Sequence, residues 1–139
     1  MILTTKDILA AIPGAVLAGP SGERRFERVV TDSRGDCAGA LFVGLAGERY
    51  DGNRFVAAAA AAGATGALVG PGVETLPDSV QCFRTSDTLS ALQCLAGWHR
   101  RRMTGCRVAG VTGSNGKSTA KQMIASVLSR TFRTRATAG

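Results

Sequence analysis

The last 52 residues of the chain contain no acidic residue. Residues 1–87 hold all 10 Asp and Glu with 8 Lys and Arg, a net charge of −2, whereas residues 88–139 hold 9 Lys and Arg, a net charge of +9. So long a segment without a carboxylate is unusual for a complete domain. It excludes a carboxylate-ligated metal site built from this segment alone. We therefore expect the acidic partners of this segment to lie beyond residue 139.

Aromatic residues are also scarce, at 5% of the chain. A net charge of +7 is typical of proteins that bind nucleic acid, because clustered arginines neutralise phosphates. Here the basic residues are scattered, and few aromatic rings are present to stack on bases. The composition disfavours a nucleic-acid partner, although a non-catalytic nucleotide- or nucleic-acid-binding module stays open as an alternative.

Metal-binding and membrane signals are missing as well. The four cysteines form no C-x-x-C pair and His99 is the only histidine, which disfavours zinc and favours reduced thiols. No apolar run reaches membrane-spanning length, and Lys6 and Asp7 interrupt the apolar start that a signal peptide requires. We expect a cytoplasmic protein that makes no membrane contact.

What the sequence does contain is an alternation of short apolar runs and helical segments. Helix starts are predicted at Thr4 or Thr5, at Asp51 and at Ser86 or Asp87, where short polar side chains can cap a helix. Buried strands are predicted at residues 29–31, 40–45, 66–69 and 80–84. This alternation predicts an α/β fold. We place a boundary near residue 85, which separates a unit of residues 1–85 from a second unit of residues 86–139.

The segment Arg107–Thr119 carries the strongest functional signal. Residues 107–111 are predicted to form a buried strand, a glycine-rich turn follows, and a helix is predicted over 117–130, with a further strand near 134–138. A strand, a glycine loop and a helix N-terminus together hold a nucleotide phosphate, because backbone N–H groups and the helix dipole point at the anion. Val111 departs from the general phosphate-loop pattern, which has glycine there.

Four motifs together resemble the Mur ligases, the cytoplasmic enzymes that build the peptide of bacterial cell-wall precursors. They are T-G-S-N-G-K-S-T at 112–119, T-D-S-R at 31–34, G-A-L-F-V at 39–43 and G-E-R-Y-D-G at 47–52. The last of these, with Lys121-Gln122-Met123, is most similar to the members that add D-alanyl-D-alanine. The resemblance covers nearly the whole chain and implies a small UDP-binding α/β domain over 1–85, followed by the start of a phosphate-loop central domain over 86–139.

The resemblance also implies the binding residues. Candidates around the UDP moiety are Ser33, Arg34 and Arg49, with an Arg34 pairing to Asp32 or Asp36 as the alternative interpretation. Lys117 is the candidate catalytic residue and Ser118 the candidate Mg²⁺ ligand. The implied ATP-binding residues are Thr112, Gly113, Ser114, Asn115, Gly116, Lys117, Ser118 and Thr119. Asn53 stands where this family often has histidine, and it is assigned no ligand role.

The implied activity is ATP-dependent amide formation through an acyl phosphate, with ATP and Mg²⁺ required and with UDP-N-acetylmuramoyl-tripeptide and D-alanyl-D-alanine as small-molecule partners. We expect a monomer, and we expect residues 1–139 alone to be inactive because the amine-binding domain is not among them. Two related alternatives remain: a ligase that adds the third peptide residue, and a polyglutamate ligase. The 47–52 motif disfavours the polyglutamate enzymes, which lack a UDP domain.

Overall fold

Five strands form the main sheet of this computed structural model, which describes residues 2–47 and 50–137. They are β2 (Val16–Ala18), β4 (Arg28–Val30), β5 (Ala40–Val43), β6 (Gly66–Val69) and β7 (Gln81–Arg84). Their order is β2–β7–β6–β5–β4, with β4 to β7 parallel and β2 antiparallel to β7. Two further strands, β1 (Leu3–Thr4) and β3 (Arg25–Phe26), pair separately.

Two of the four described α-helices, α1 and α3, begin at a side-chain cap. The helices are α1 (Thr5–Ala11), α2 (Val56–Ala61), α3 (Thr88–Arg102) and α4 (Lys117–Leu128), and a 3-10 turn (Gly52–Phe55) precedes α2. Thr4 caps α1 in a capping box with Asp7, and Asp87 caps α3 by accepting from the N–H groups of Leu89 and Ser90. The helix starts predicted at Thr4 or Thr5 and at Ser86 or Asp87 are confirmed, as is the α/β fold class, whereas Asp51 caps the 3-10 turn and α2 begins only at Val56.

Helices cover both faces of the main sheet, as a parallel sheet requires. The side chains of the central strands alternate between two apolar clusters because successive strand residues point to opposite faces. The cluster beneath α1 and α3 contains Ile8, Leu41, Leu68, Phe83 and Leu95. The cluster beneath α2 contains Phe42, Val56, Ala59, Val69 and Cys82.

Helix α3 belongs to the first of the chain's two compact units, which are residues 1–103 and 104–139. Ala91 and Leu95 of α3 are buried in the core of the first unit. The compact unit therefore continues 18 residues beyond the boundary that we predict near residue 85. The assignment of substrate-binding roles to the two segments stays a prediction.

The second unit contains α4 and no strand among its described residues, 104–137. The strand predicted at residues 107–111 is therefore wrong, and Val108 in it is 69% exposed. The strand predicted near 134–138 is also absent over 134–137, and Ala138 lies outside the described residues. The physical reason is the same for both segments. A strand needs a neighbouring strand to satisfy its backbone N–H and C=O groups.

None of the described helices combines the length and the apolar character needed to cross a membrane.

Gly66→Ala should destabilise the first unit. A Cβ at Gly66 would overlap the ring of Phe26, which is fully buried and packs edge-on against Phe83 with ring centroids 5.9 Å apart. Overpacking of this kind costs about 1–3 kcal/mol of unfolding free energy. Urea denaturation followed by the fluorescence of Trp98, the only tryptophan, measures the change.

The matched control is Gly35→Ala, because a Cβ there meets no atom within 4 Å. We expect this control to stay within about 0.5 kcal/mol of the wild type. Equal unfolding free energies for the two variants would contradict the predicted overlap with Phe26.

Candidate functional site

The carboxyl ends of four parallel strands meet at one edge of the main sheet. The loops that leave these ends contain Asp32–Arg34 after β4, Gly44–Asp51 after β5, Gly70 after β6 and Asp87 after β7. Ligands of open α/β sheets bind outside this edge, because the strand ends leave a crevice there. We call it the carboxyl edge. The topology brings the 31–34 motif and the described residues of the 47–52 motif, 47 and 50–52, to this edge, although the two motifs are separated in the chain.

The loop after β4 is organised by an ion pair between neighbours. Arg34 donates from Nε to Asp32 Oδ1 at 2.9 Å and from Nη2 to Asp32 Oδ2 at 2.7 Å, and its backbone N–H donates to Asp32 Oδ1 at 3.0 Å. The alternative interpretation of Arg34 is thus what the structure contains. Both side chains are exposed, and Ser33 between them is half-buried. Asp36 instead pairs with Arg28 at 2.6 Å.

This pairing changes the protonation of Asp32. The hydrogen bond from the Arg34 side chain, followed by the one from its backbone, lowers the pKa of Asp32 to about 2. The same side-chain hydrogen bond raises the pKa of Arg34, with smaller electrostatic contributions from Asp32 and Tyr50. Asp32 and Arg34 therefore form a mutually stabilised charged pair in the loop after β4.

The loop after β5 presents an exposed aromatic ring. The N–H of Gly47 donates to the carbonyl of Tyr50 at 2.8 Å, and Ala46 and Asp51 form an isolated bridge. The Tyr50 ring stacks on Phe55 with centroids 5.1 Å apart and planes 11° apart, yet Tyr50 is 61% exposed. Arg49, a candidate residue from the sequence, lies outside the described residues.

Sequence reasoning did not single out Tyr50 as a site residue. The signal that could have found it is an aromatic residue inside a glycine-bounded loop directly after a buried strand. Beside this loop, a depression of about 260 Å³ opens at the ends of β5 and β6. Its lining includes Asp51, Asn53, Arg54 and residues 71–75.

The loop of the second unit, Thr112–Thr119, contains two glycines with positive φ, Gly113 and Gly116. Gly116 precedes α4 in the left-handed conformation, with φ of +74°, which glycine adopts without strain. Lys117 Nζ donates to the carbonyl oxygens of Gly113 at 2.6 Å and Ser114 at 3.3 Å. Its ammonium group therefore lies over the loop. All eight predicted ATP-binding residues, Thr112–Thr119, are exposed.

The loop of residues 112–119 contains no carboxylate that could ligate a metal. The hydroxyls of Ser118 and Thr119 lie in the first turn of α4, where they are exposed. Within residues 2–47 and 50–137 no group of three His, Cys, Asp or Glu is placed to hold a metal ion. Ser118 is thus a single candidate ligand rather than part of a formed metal centre.

Comparison with known proteins relates this chain to a known family. The profile of the Mur ligase family, catalytic domain, matches residues 25–82, which lie in the first unit and carry the motifs of the carboxyl edge. Relatives that match most or all of the chain are also Mur ligases. Over nearly its whole length the chain is similar to Mur ligases, and the resemblance drawn from its motifs is confirmed.

Within that family the chain is similar to MurF. It is 41% identical to the UDP-N-acetylmuramoyl-tripeptide–D-alanyl-D-alanine ligase of Bacillus subtilis over 98% of this chain and 30% of the relative. A crystal structure of MurF from Acinetobacter baumannii matches with a TM-score of 0.81 and 32% identity, over 94% of this chain and 28% of that one. The chain thus spans less than a third of these relatives.

Two further matches bear on the ligand and on the branch of the family. MurF from Thermotoga maritima, solved in complex with ADP, matches with a TM-score of 0.58 and 27% identity, over 75% of this chain and 23% of that one. The diaminopimelate ligase of Gloeobacter violaceus is 36% identical over a smaller share of this chain, 70%, and 20% of the relative.

Arg34→Gln should raise the pKa of Asp32 from about 2 toward its ordinary value of 3.8. Because the folded pKa is lowered, the stabilising contribution of the pair is present above the ordinary value and is lost as the pH falls through about 2. NMR titration of the side-chain carboxyl carbon of Asp32 measures the midpoint. Arg28→Gln is the control, since its partner is Asp36. A midpoint for Asp32 that is the same in the wild type and in Arg34→Gln would contradict the assigned cause.

Proposed function

We propose that this chain is part of an ATP-dependent ligase that adds D-alanyl-D-alanine to UDP-N-acetylmuramoyl-tripeptide in peptidoglycan precursor synthesis. The observation that carries the proposal is that a chain similar to MurF has one candidate anion-binding element in each compact unit: the carboxyl edge in the first and the Thr112–Thr119 loop in the second. In this proposal residues 1–85 bind the UDP-linked substrate, and residues 86–139 begin the ATP-binding domain. The reaction is that of the whole protein.

The proposed reaction has two steps. The terminal carboxylate of the tripeptide attacks the γ-phosphorus of ATP, which forms an acyl phosphate and releases ADP. The amine of D-alanyl-D-alanine then attacks the acyl carbon, so that a C–N bond forms, the C–O bond to phosphate breaks and the nitrogen loses a proton. Phosphoryl transfer needs mainly positioning and charge stabilisation from the protein.

The second unit offers the groups that this charge stabilisation needs. The N–H groups that open α4 have no partner four residues back in the helix, and the helix dipole adds positive potential where Gly116 ends the loop. Lys117 supplies a full charge that acts on the β- and γ-phosphate oxygens. Its ammonium hydrogen bonds with Gly113 and Ser114 are made to neutral carbonyls, so no ion pair has to be broken. Ser118 supplies one hydroxyl to Mg²⁺, which neutralises phosphate charge when bound.

In the first unit, the UDP moiety is proposed to bind at the carboxyl edge. Ser33, Arg34 and Arg49 are the polar candidates, and an arginine fork suits a diphosphate. Tyr50 adds an exposed ring whose inner face rests on Phe55, which leaves its outer face for the uracil base. Anion binding by Arg34 has to compete with Asp32.

We further propose a monomer that works in the cytoplasm on small-molecule substrates, without membrane or nucleic-acid partners. The similarity to diaminopimelate ligases supports a second candidate, the addition of the third residue to the muramoyl dipeptide. Comparing the binding of the UDP-linked dipeptide and tripeptide separates the two reactions. Preference for the dipeptide would exclude the D-alanyl-D-alanine assignment.

UDP should bind saturably to the 139-residue chain. The Kd of UDP in Lys117→Ala should stay within about twofold of the wild-type value, because Lys117 belongs to the proposed ATP-binding element in the other unit. Isothermal titration calorimetry measures both values. Arg34→Ala should weaken UDP binding about tenfold or more, since a charged hydrogen bond contributes about 1.5–3 kcal/mol. Loss of UDP binding in Lys117→Ala would refute the assignment of two separate sites, and binding of DNA with a steep salt dependence would favour the binding-module alternative.

UDP should also perturb Tyr50, whose ring resonances are unambiguous because the chain contains one tyrosine. Stacking of a base on an aromatic ring is worth about 1–3 kcal/mol. Tyr50→Ala should therefore weaken UDP binding about 5- to 140-fold, while Tyr50→Phe keeps most of the affinity. Pyrophosphate is the control ligand, which should leave the ring resonances in place. Ring shifts of equal size with pyrophosphate would contradict base stacking.

A further inference from the structure

The side-chain amide of Asn53 joins the ends of two neighbouring strands. Asn53 lies in the 3-10 turn and is only 8% exposed. Its Oδ1 accepts from the backbone N–H of Gly70 at 2.9 Å, and this hydrogen bond is buried. Gly70 follows the last residue of β6, whereas the 3-10 turn follows the loop that leaves β5. One amide thus links two strand ends that are distant in the chain.

Glycines make room for this amide on both sides. A Cβ at Gly44, which follows β5, would lie 2.8 Å from Asn53 Oδ1, and a Cβ at Gly70 would lie 3.3 Å from Asn53 Nδ2. The amide is therefore packed directly against the backbone of both strand ends. Thr88 adds a further hydrogen bond at the end of β5, because its hydroxyl donates to the carbonyl of Gly44 at 2.9 Å.

The same side chain also fixes the neighbouring loop. Asp51 Oδ1 accepts from the backbone N–H of Asn53 at 3.0 Å and from its Nδ2 at 2.8 Å. Asp51 directly follows Tyr50 and is bridged to Ala46 across the loop. A displacement of the Asn53 amide would therefore also displace Asp51 and, with it, the neighbouring Tyr50. Asn53 also lines the depression beside that loop.

We propose that Asn53 is a positioning residue for the UDP moiety: by joining Gly70 to Asp51, it holds the loop after β5 in the geometry that the bound ligand requires. This inference rests on the proposed function, since it names a further determinant of the same site. Asn53 itself acts through Asp51 and Tyr50 and need not touch the ligand.

A second buried amide supplies a matched control. Gln81 is fully buried at the first position of β7, so it lies at the opposite, amino-terminal edge of the same sheet. Its Nε2 donates to the carbonyls of Pro20 and Gly22 at 3.0 and 2.8 Å, and its Oε1 accepts from Thr5 at 2.6 Å. Gln81→Ala therefore removes a comparable buried network far from the carboxyl edge.

The experiment measures the Kd of UDP by calorimetry for the wild-type chain, Asn53→Ala and Gln81→Ala, at a temperature where circular dichroism shows each to be folded. We expect Asn53→Ala to bind UDP at least tenfold more weakly, whereas Gln81→Ala stays within twofold of the wild type. Equal affinity of Asn53→Ala and the wild type would overturn this inference and leave the proposed function standing. An equal loss in both variants would overturn it too, because the effect would then be one of general destabilisation.

If Asn53→Ala does not fold, Asn53→Asp is the deciding variant. It keeps the acceptor for Gly70 but removes the Nδ2 donor and places a second carboxylate beside Asp51, so UDP binding should still fall at least tenfold. Wild-type affinity in Asn53→Asp would overturn the inference. Failure of the wild-type chain to bind UDP would instead refute the proposed function, and the positioning role with it.

Discussion

Parallel pairing of β4 to β7 is the constraint on which the rest of the first unit depends. Because parallel strands are joined by crossovers, all four leave the sheet at the same edge, and the loops that carry Arg34, Tyr50 and Gly70 are gathered there. The same pairing buries both faces of the sheet, which explains why α2 lies on one face and α1 and α3 on the other. The site and the core are thus two results of one topology.

The two candidate anion-binding elements differ in whether their cationic side chain is already engaged in an ion pair. Arg34 is engaged by Asp32 in a two-point ion pair, whereas the partners of the Lys117 ammonium within the described residues are the neutral carbonyls of Gly113 and Ser114. A diphosphate at the carboxyl edge would have to displace the Asp32 carboxylate before it could pair with Arg34. At the loop of the second unit, a phosphate would meet a helix N-terminus and a lysine that has no carboxylate partner in the part of the chain that the structure describes.

The sequence predicted the elements that carry local signals. Apolar runs located β5, β6 and β7, short polar caps located α1 and α3, and the Gly116-Lys117 step located the start of α4. Sequence could not reveal β1 and β3, because two-residue strands have no measurable periodicity. It also failed at residues 107–111, where an apolar run is exposed, because strand formation depends on a partner strand and not on composition.

The candidate site was predicted as a set of segments rather than as a geometry. The motifs predicted Ser33, Arg34 and the 112–119 loop as binding residues. Only the three-dimensional structure showed that Arg34 forms an ion pair with Asp32. The role of Asn53 was invisible for the same reason, because its partner Gly70 is 17 residues away. Long-range hydrogen bonds of single side chains leave no pattern in one sequence.

The burial of α3 in the first unit has a practical consequence for protein production. A gene cut at residue 85, where the composition changes, would delete Ala91 and Leu95 from the apolar cluster beneath α1. The remaining sheet would expose Phe83 and its neighbours. An exposed apolar patch of this kind promotes aggregation and the formation of inclusion bodies. A fragment that ends after Met103 keeps α3, which covers this apolar cluster. The domain that can be expressed alone is therefore longer than the segment of residues 1–85 predicted from the motifs.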